Sequence, residues 1–490
     1  MLVACLPVII SGTTRGRAAY DSLNYHEKAA RQFAQELPTP HLKDYLSATT
    51  PGYHLVLAAV GRGVGGIGSD GVSAYEKDLT PAQPDPRIAS ERRVLQLIGL
   101  CFTLAMLYLV GHWGEARLRA VAAKPGVPLA VLCLALPLVG SPYIYQSAAW
   151  LLPDNSAWLG VLVALLLAVR LRVGPAVIVA MGLVLVWLVL SRQIHAWVAG
   201  LVWAAAWVGA SAPGDRAGGP LLSLRDLFPR GGSRAVASRV GLAVLCTLPA
   251  ALVLGWFWRL WDHQLVPPTF VTWHHAGVQA ATPAFVLSLI ALFAPFFAVW
   301  LWPGVLGAWR SQRGWLLGAS AAGVLLAVAP ATAWDFDHGR FGGVWSLYRV
   351  AGEVGGRSLA LMVLSPLGAA VVVAVLAGVT VRQRWVMLAA LFGFAAANCA
   401  NPQLWQRYHE PFVLLWLIVA GVLIAERAAD AGEGNARRTW RLGGPAVLAL
   451  VLGAVSVAMV VRARPEIDKG YRPGHIETPP AKVPAGERPS

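Results

Sequence analysis

Apolar runs long enough to cross a lipid bilayer recur from one end of this chain to the other, and they leave few folds open. In hydrocarbon each backbone N–H and C=O must find a partner inside its own segment, so such a chain folds as packed helices. Candidate spans lie at roughly 93–112, 127–147, 156–171, 175–191, 194–211, 240–258, 283–303, 314–332, 358–379, 385–399, 411–426 and 443–462. The 57% hydrophobic and 13% charged composition is more apolar than a soluble core needs. The expected fold class is therefore all-α, a polytopic membrane protein of about 12–13 transmembrane helices.

The chain divides into four parts. Residues 1–11 form a partial first span, about 16 Å of helix against a hydrocarbon core of about 30 Å. With no basic leader and no A-x-A exit it does not read as a signal peptide, so the true start is expected upstream, or the first helix is truncated. A long first loop covers 12–91, the helical domain 92–463, and a Pro-rich, polar tail 464–490 that reads as disordered. No internal repeat is found.

The formal net charge of +15 reads first as topology and lipid contact, so membrane lipids, not nucleic acid, are the expected partners. If the first segment runs outward, the connections at 113–126, 170–174, 212–239, 304–313, 380–384 and 427–442 face the cytoplasm. Each carries at least two Lys or Arg; the opposite short connections carry few. That parity makes 12–91 extracytoplasmic and brings Asp154, His195, His263, His274, His275, Arg407, His409 and Glu410 near the same face. Ionisable groups at such depth line cavities, because contact with lipid is costly. The five cysteines lie in apolar segments without a partner pattern and read as structural thiols; no metal site is expected. "GRGVGGIG" (61–68) lacks both the strand and the Lys-Ser/Thr ending of a phosphate loop.

Within the first loop, Tyr25, Ala29, Phe33 and Leu37 repeat every fourth residue, which predicts an amphipathic helix over 24–37 lying along the membrane surface. Residues 49–68 suit a second surface or re-entrant helix. Ordinary structural roles stand beside any functional one. Asp21 and Asp154 suit helix N-termini, Asn24 and Glu27 suit a capping box, and Glu410 is the anion nearest in sequence to Arg407. Trp150, Trp261, Trp273 and Trp405 suit an interfacial belt, with sugar stacking a secondary role.

Five strings share one order along the chain. They are "DSLNYHEK" (21–28) followed by "TTPGYHL" (49–55), "SPYIYQSAAWLLPDNSAWLGVLVALL" (141–166), "SRQIHAW" (191–197), "HHAGVQAATPAF" (274–285) and "NPQLWQRYHEPF" (401–412). Together they resemble the GT-C membrane glycosyltransferases that use polyprenyl-phosphate sugars, and within them the α-1,2-glucosyltransferases that complete the lipid-linked oligosaccharide. The departures are specific. Ser22 stands where that family has a second acid, Pro153 replaces a threonine, His195 an asparagine and Asn401 a histidine, and the last cluster runs Arg407-Tyr408-His409. An Ala-, Leu-, Arg- and Gly-rich chain without an N-x-S/T sequon resembles a bacterial relative, in the inner (plasma) membrane with its site on the extracytoplasmic side.

The resemblance implies a GT-C-like fold and transfer of a monosaccharide from a polyprenyl-phosphate donor to an acceptor hydroxyl, with inversion. The other expected partner is then a glycan or lipid-linked glycan acceptor. Such transfer needs a base for the acceptor proton and cations for the departing phosphate. Asp21, just before the surface helix, is the implied base. Asp154 is a site residue in one of three roles: acceptor ligand, metal ligand or alternative base. Tyr25, His26, Arg192, Gln193, His274, His275 and Gln279 are implied substrate contacts, Arg407 the donor-phosphate ligand and His409 its hydrogen-bonding assistant. No resident cofactor is implied, and a divalent-metal requirement stays open. The rival readings are a transporter or lipid flippase, and an inactive GT-C scaffold.

Overall fold

A helix that is apolar all round belongs inside a bundle, and Glu410–Asp430 is such a helix: every residue from Phe412 to Ile424 is buried. The computed structural model describes residues 1–13, 16–67, 86–121, 126–209, 221–222, 233–271, 277–340, 342–430 and 440–462. The tail from 464 and the pair His274 and His275 lie outside them. The span Gln406–Ala429 is 83% buried over its apolar window, against 22% for Arg234–Leu260 and Gly443–Arg462, so the first forms the axis and the other two the periphery.

The chain is an all-α polytopic membrane protein. The only strands among the described residues are the two-residue hairpin Glu353–Val354 with Arg357–Ser358. Six helices are long and apolar enough to cross a membrane, and the Val127–Gly140 and Pro142–Ala149 pair, bent by 72°, would make a seventh. Five shorter apolar helices accompany them: Leu2–Ser11, Asp154–Ala168, Pro175–Ser191, Gln193–Val208 and Arg313–Val328. Every span expected from the sequence falls on a helix. Helices approach closely where one offers no side chain: a Cβ on Gly368 would strike the backbone of Leu287, and one on Gly304 that of Ala374.

Hydrogen bonds sort the connections into two ends. At one end Gln193 donates to the carbonyls of Ala48 (2.9 Å) and Leu265 (2.8 Å), and Trp261 donates to Leu42 (3.0 Å). At the other end Arg117 pairs with Glu426 (2.9 Å), Arg384 donates to the Leu221 carbonyl (3.2 Å), and Arg382 donates to those of Arg170 and Gly209. The connections that charge parity grouped together are thus neighbours in space, and the arginine-rich set occupies one end. With the native cysteines replaced, a Lys43→Cys variant should react with a membrane-impermeant thiol reagent on intact cells. An Arg172→Cys variant should react only after permeabilisation; both positions are exposed. The reverse pattern inverts the orientation.

The first loop departs from expectation. Its leading helix starts earlier, at Arg17–Asp21, passes through a π-helical turn at Ser22–His26, and continues as Glu27–Glu36. Ala29 and Phe33 are buried as the apolar period requires, yet Glu27, Lys28 and Arg31 on the polar face are buried too. The helix does not lie open on a surface, because other charged groups cover it. Glu27 accepts from Arg31 (2.8 Å) and Arg92 (2.7 Å), while Arg31 also pairs with Glu91 at the start of the Pro86–Val121 helix. Burial would raise the Glu27 carboxyl, but Arg31 and Arg92 outweigh it and hold it below its ordinary range. Glu27→Gln leaves two guanidiniums under-neutralised and should cost about 3 kcal/mol, seen as a lower thermal midpoint in detergent. The second helix, Gly52–Gly63, does bury one face, through Tyr53, His54, Leu57 and Ala58, and exposes Ala59, Val60 and Arg62.

Candidate active site

The turn that carries Arg407 is braced before its arginine is used. Residues Gln406–Tyr408 form a single 3-10 turn ahead of the Glu410–Asp430 helix. Glu410 is the partner proximity suggests for Arg407, but its carboxylate is already occupied, by Ser141 Oγ (2.6 Å) and Gln406 Nε2 (2.6 Å). Arg407 therefore reaches across to the first loop, where its Nη1 donates to Asp21 (2.8 Å) and its Nη2 to the Tyr408 hydroxyl (3.1 Å). Its Nε is a buried donor with no partner.

Asp21 and Asp154 make no side-chain capping bond, so the capping reading fails for both. Asp154 opens the Asp154–Ala168 helix and pairs with Arg192, which follows the Pro175–Ser191 helix. Tyr408 joins the two ion pairs: its ring lies 4.6 Å from the Arg192 guanidinium and 5.0 Å from that of Arg407. Trp405 stacks with Tyr408 and supports Arg407 from the other side, at 4.6 Å. Two carboxylates and two guanidiniums from four separate segments thus meet around one tyrosine, with no net charge. Such a site can hold an anion on its arginines and free a carboxylate to take a proton.

His26 closes the π turn, and its Nδ1 lies 2.9 Å from His54 Nε2, with the two rings stacked. Burial, then the charges of Arg407 and Arg192, pull the His26 imidazole down to about 3; burial, then His26, pulls His54 well below its ordinary value. Both rings are neutral in the folded protein, whereas the unfolded chain binds protons near pH 6.5. Their stabilising contribution is therefore complete above about pH 6.5 and falls as pH drops from there toward 3, by about 1.4 kcal/mol per pH unit for one proton. The thermal midpoint should decline between pH 7 and 5, and His26→Asn should flatten that decline.

Other expected contacts are placed differently. Tyr25 sits at the rim, edge-on to Tyr20 (6.0 Å) and Phe270 (5.5 Å). Gln193 and Gln279 spend their amides on the protein. Gln193 donates to Ala48 and Leu265 and accepts from Thr50, while Gln279 donates to His338 and Pro402 and accepts from Arg340. His409 lies within hydrogen-bonding distance of the Trp405 carbonyl (2.9 Å) through Nδ1 and packs edge-on to Phe285 and Phe394. A proton on Nδ1 leaves Nε2 an acceptor, so the neutral ring offers a phosphate no donor there. His195 faces Trp158 and, with Arg192, Asn398 and Tyr408, lines a small cavity of about 30 Å³. His263 is exposed, in a left-handed turn after the Ser233–Leu260 helix. Ser22, where the resembling family has an acid, accepts a hydrogen bond from the Leu151 amide (3.1 Å).

The sequence reading missed Tyr408 as the bridge and His54 as the partner of His26. The adjacency of Tyr408 to Arg407, and the place of His54 on the inner face of a helix beginning Pro-Gly, were the available signals. Among the described residues, no group of three or more His, Cys, Asp or Glu could hold a metal ion. Comparison of the chain with protein-family models, with curated proteins and with solved structures found no match.

Proposed function

We propose that this protein is a GT-C-like membrane glycosyltransferase. It moves a monosaccharide from a polyprenyl phosphate to the hydroxyl of a glycan or lipid-linked glycan, at the extracytoplasmic face of a bacterial inner membrane. The observation that carries this reading is the joining of Asp21–Arg407 to Asp154–Arg192 across Tyr408. The twelve spans plus the Leu2–Ser11 helix supply the number of crossings such a scaffold uses.

The acceptor oxygen attacks the anomeric carbon as its proton passes to the Asp21 carboxylate. The carbon–phosphate-oxygen bond breaks, its electron pair stays on that oxygen, and inversion follows from the single displacement. A phosphodiester thereby becomes a phosphomonoester with one more negative charge. Arg407, with its unpaired Nε, and Arg192 answer that charge where it develops. Tyr25 and His26 shape the rim and floor of the site, and Asp154 holds Arg192.

Purified protein in nanodiscs, incubated with a panel of polyprenyl-phosphate sugars and cell-derived lipid and glycan acceptors, should yield a product heavier by one sugar residue in mass spectrometry. Absence of product across the panel, together with flux of an intact lipid-linked sugar across proteoliposomes, would replace this reading with a transporter.

A further inference from the structure

At the end of the bundle opposite Asp21, two arginines lie against one glycine. Arg382 is 1% exposed and opens the Val381–Cys399 helix. Its Nε and Nη1 reach only the backbone carbonyls of Gly209 and Arg170, and its Nη2 is buried without a partner. Gly209 has φ +63, and a Cβ there would strike the guanidinium of Arg239, so glycine is what admits that arginine. Arg239 is half-buried, and its Nε has no partner. The two charges act on each other, and no described carboxylate pairs with either. Two guanidiniums held together with only carbonyls for company leave an uncompensated positive charge that an anion would relieve.

The surface leading to them is apolar. A groove of about 460 Å³ runs between the Gln193–Val208 and Val381–Cys399 helices, lined by Trp203, Trp207, Trp385, Ala389 and Phe392. Trp385 is three residues beyond Arg382, and Ala389 and Phe392 continue the same helical stripe. Val208, next to Gly209, ends the groove, and the Trp385 indole N–H is a further buried donor without a partner. Phe392 is 73% exposed, so the groove opens to the membrane.

We infer that this groove and arginine pair form a binding site for an anionic phospholipid, its phosphate at Arg239 and Arg382 and one acyl chain along the tryptophans. Arg239 meets the phosphate from the open side, and Arg382 adds its charge from behind. A basic pocket between spans, at the arginine-rich end, is where such headgroups bind. The site is independent of the transfer chemistry at the far end.

Native mass spectrometry of the full chain with phosphatidylglycerol and phosphatidylcholine of identical chains tests it. The anionic lipid should be retained roughly tenfold better. Arg239→Gln, which breaks no hydrogen bond, should abolish that preference. Ala389→Trp, which fills the groove, should reduce retention of both lipids while the thermal midpoint holds. Equal retention of the two lipids by wild type, or an undiminished preference in Arg239→Gln, overturns the inference. Full displacement of the lipid by millimolar inorganic phosphate, with no effect of Ala389→Trp, overturns it in favour of a soluble-anion site.

Discussion

Asp21→Asn should lose roughly 10²–10⁴-fold in the transfer step, the range that general-base catalysis supplies, without weakening donor binding. The sign of the second half follows from geometry. Asp21 and a donor phosphate compete for Arg407, so neutralising Asp21 releases the guanidinium to its other ligand. Asparagine retains a carbonyl oxygen that can accept from Arg407, and Asp21 caps no helix, so the folding cost should stay near 1 kcal/mol. Single-turnover transfer at saturating donor measures the first effect, and donor titration the second. Near-normal turnover would reject Asp21 as the base and move the role to Asp154.

Arg407→Ala should cost roughly 10³-fold in turnover and weaken the donor, since one preorganised donor to a developing oxyanion is typically worth 10²–10³. Arg407→Lys should already be damaging. The guanidinium serves Asp21 and Tyr408 through separate nitrogens and keeps Nε in reserve, whereas an ammonium is a point charge. Arg192 shares Tyr408 with Arg407, so the double variant should fall short of the sum of the single losses. Donor affinity must be read separately from turnover. If Arg407→Ala binds the polyprenyl-phosphate sugar as tightly as wild type and turns over normally, Arg407 serves only to hold Asp21.

The helices were legible because bilayer length and apolar composition act on contiguous residues, and charge parity sorted the connections because it sums over whole loops. Pairings between distant segments were not legible. Nearness in sequence joined Arg407 to Glu410, but Ser141 and Gln406 claim that carboxylate, and nothing local to residues 406–411 announces Ser141. The stripe of Lys28 and Arg31 read as solvent-facing because amphipathic period distinguishes polar from apolar, not water from a buried ion network. The covering groups, Glu91 and Arg92, arrive from sixty residues downstream. Asp21 and Asp154 satisfied the statistics of helix caps, yet each spends its charge on an arginine from elsewhere in the chain.

The π-helical turn at Ser22–His26 makes the site sensitive to chain length as well as to side-chain chemistry. A π turn accommodates one more residue than an α turn, and such bulges recur at functional sites. Deleting Leu23 would let the segment rewind as plain α-helix and turn everything before the gap by about 100° relative to Glu27. His26 would keep its place beside His54, while Asp21 would swing off Arg407 although no charged residue had changed. A single lost codon could therefore silence the site as completely as a substitution of the acid. A compensating insertion elsewhere in the same turn, even of alanine, would restore it.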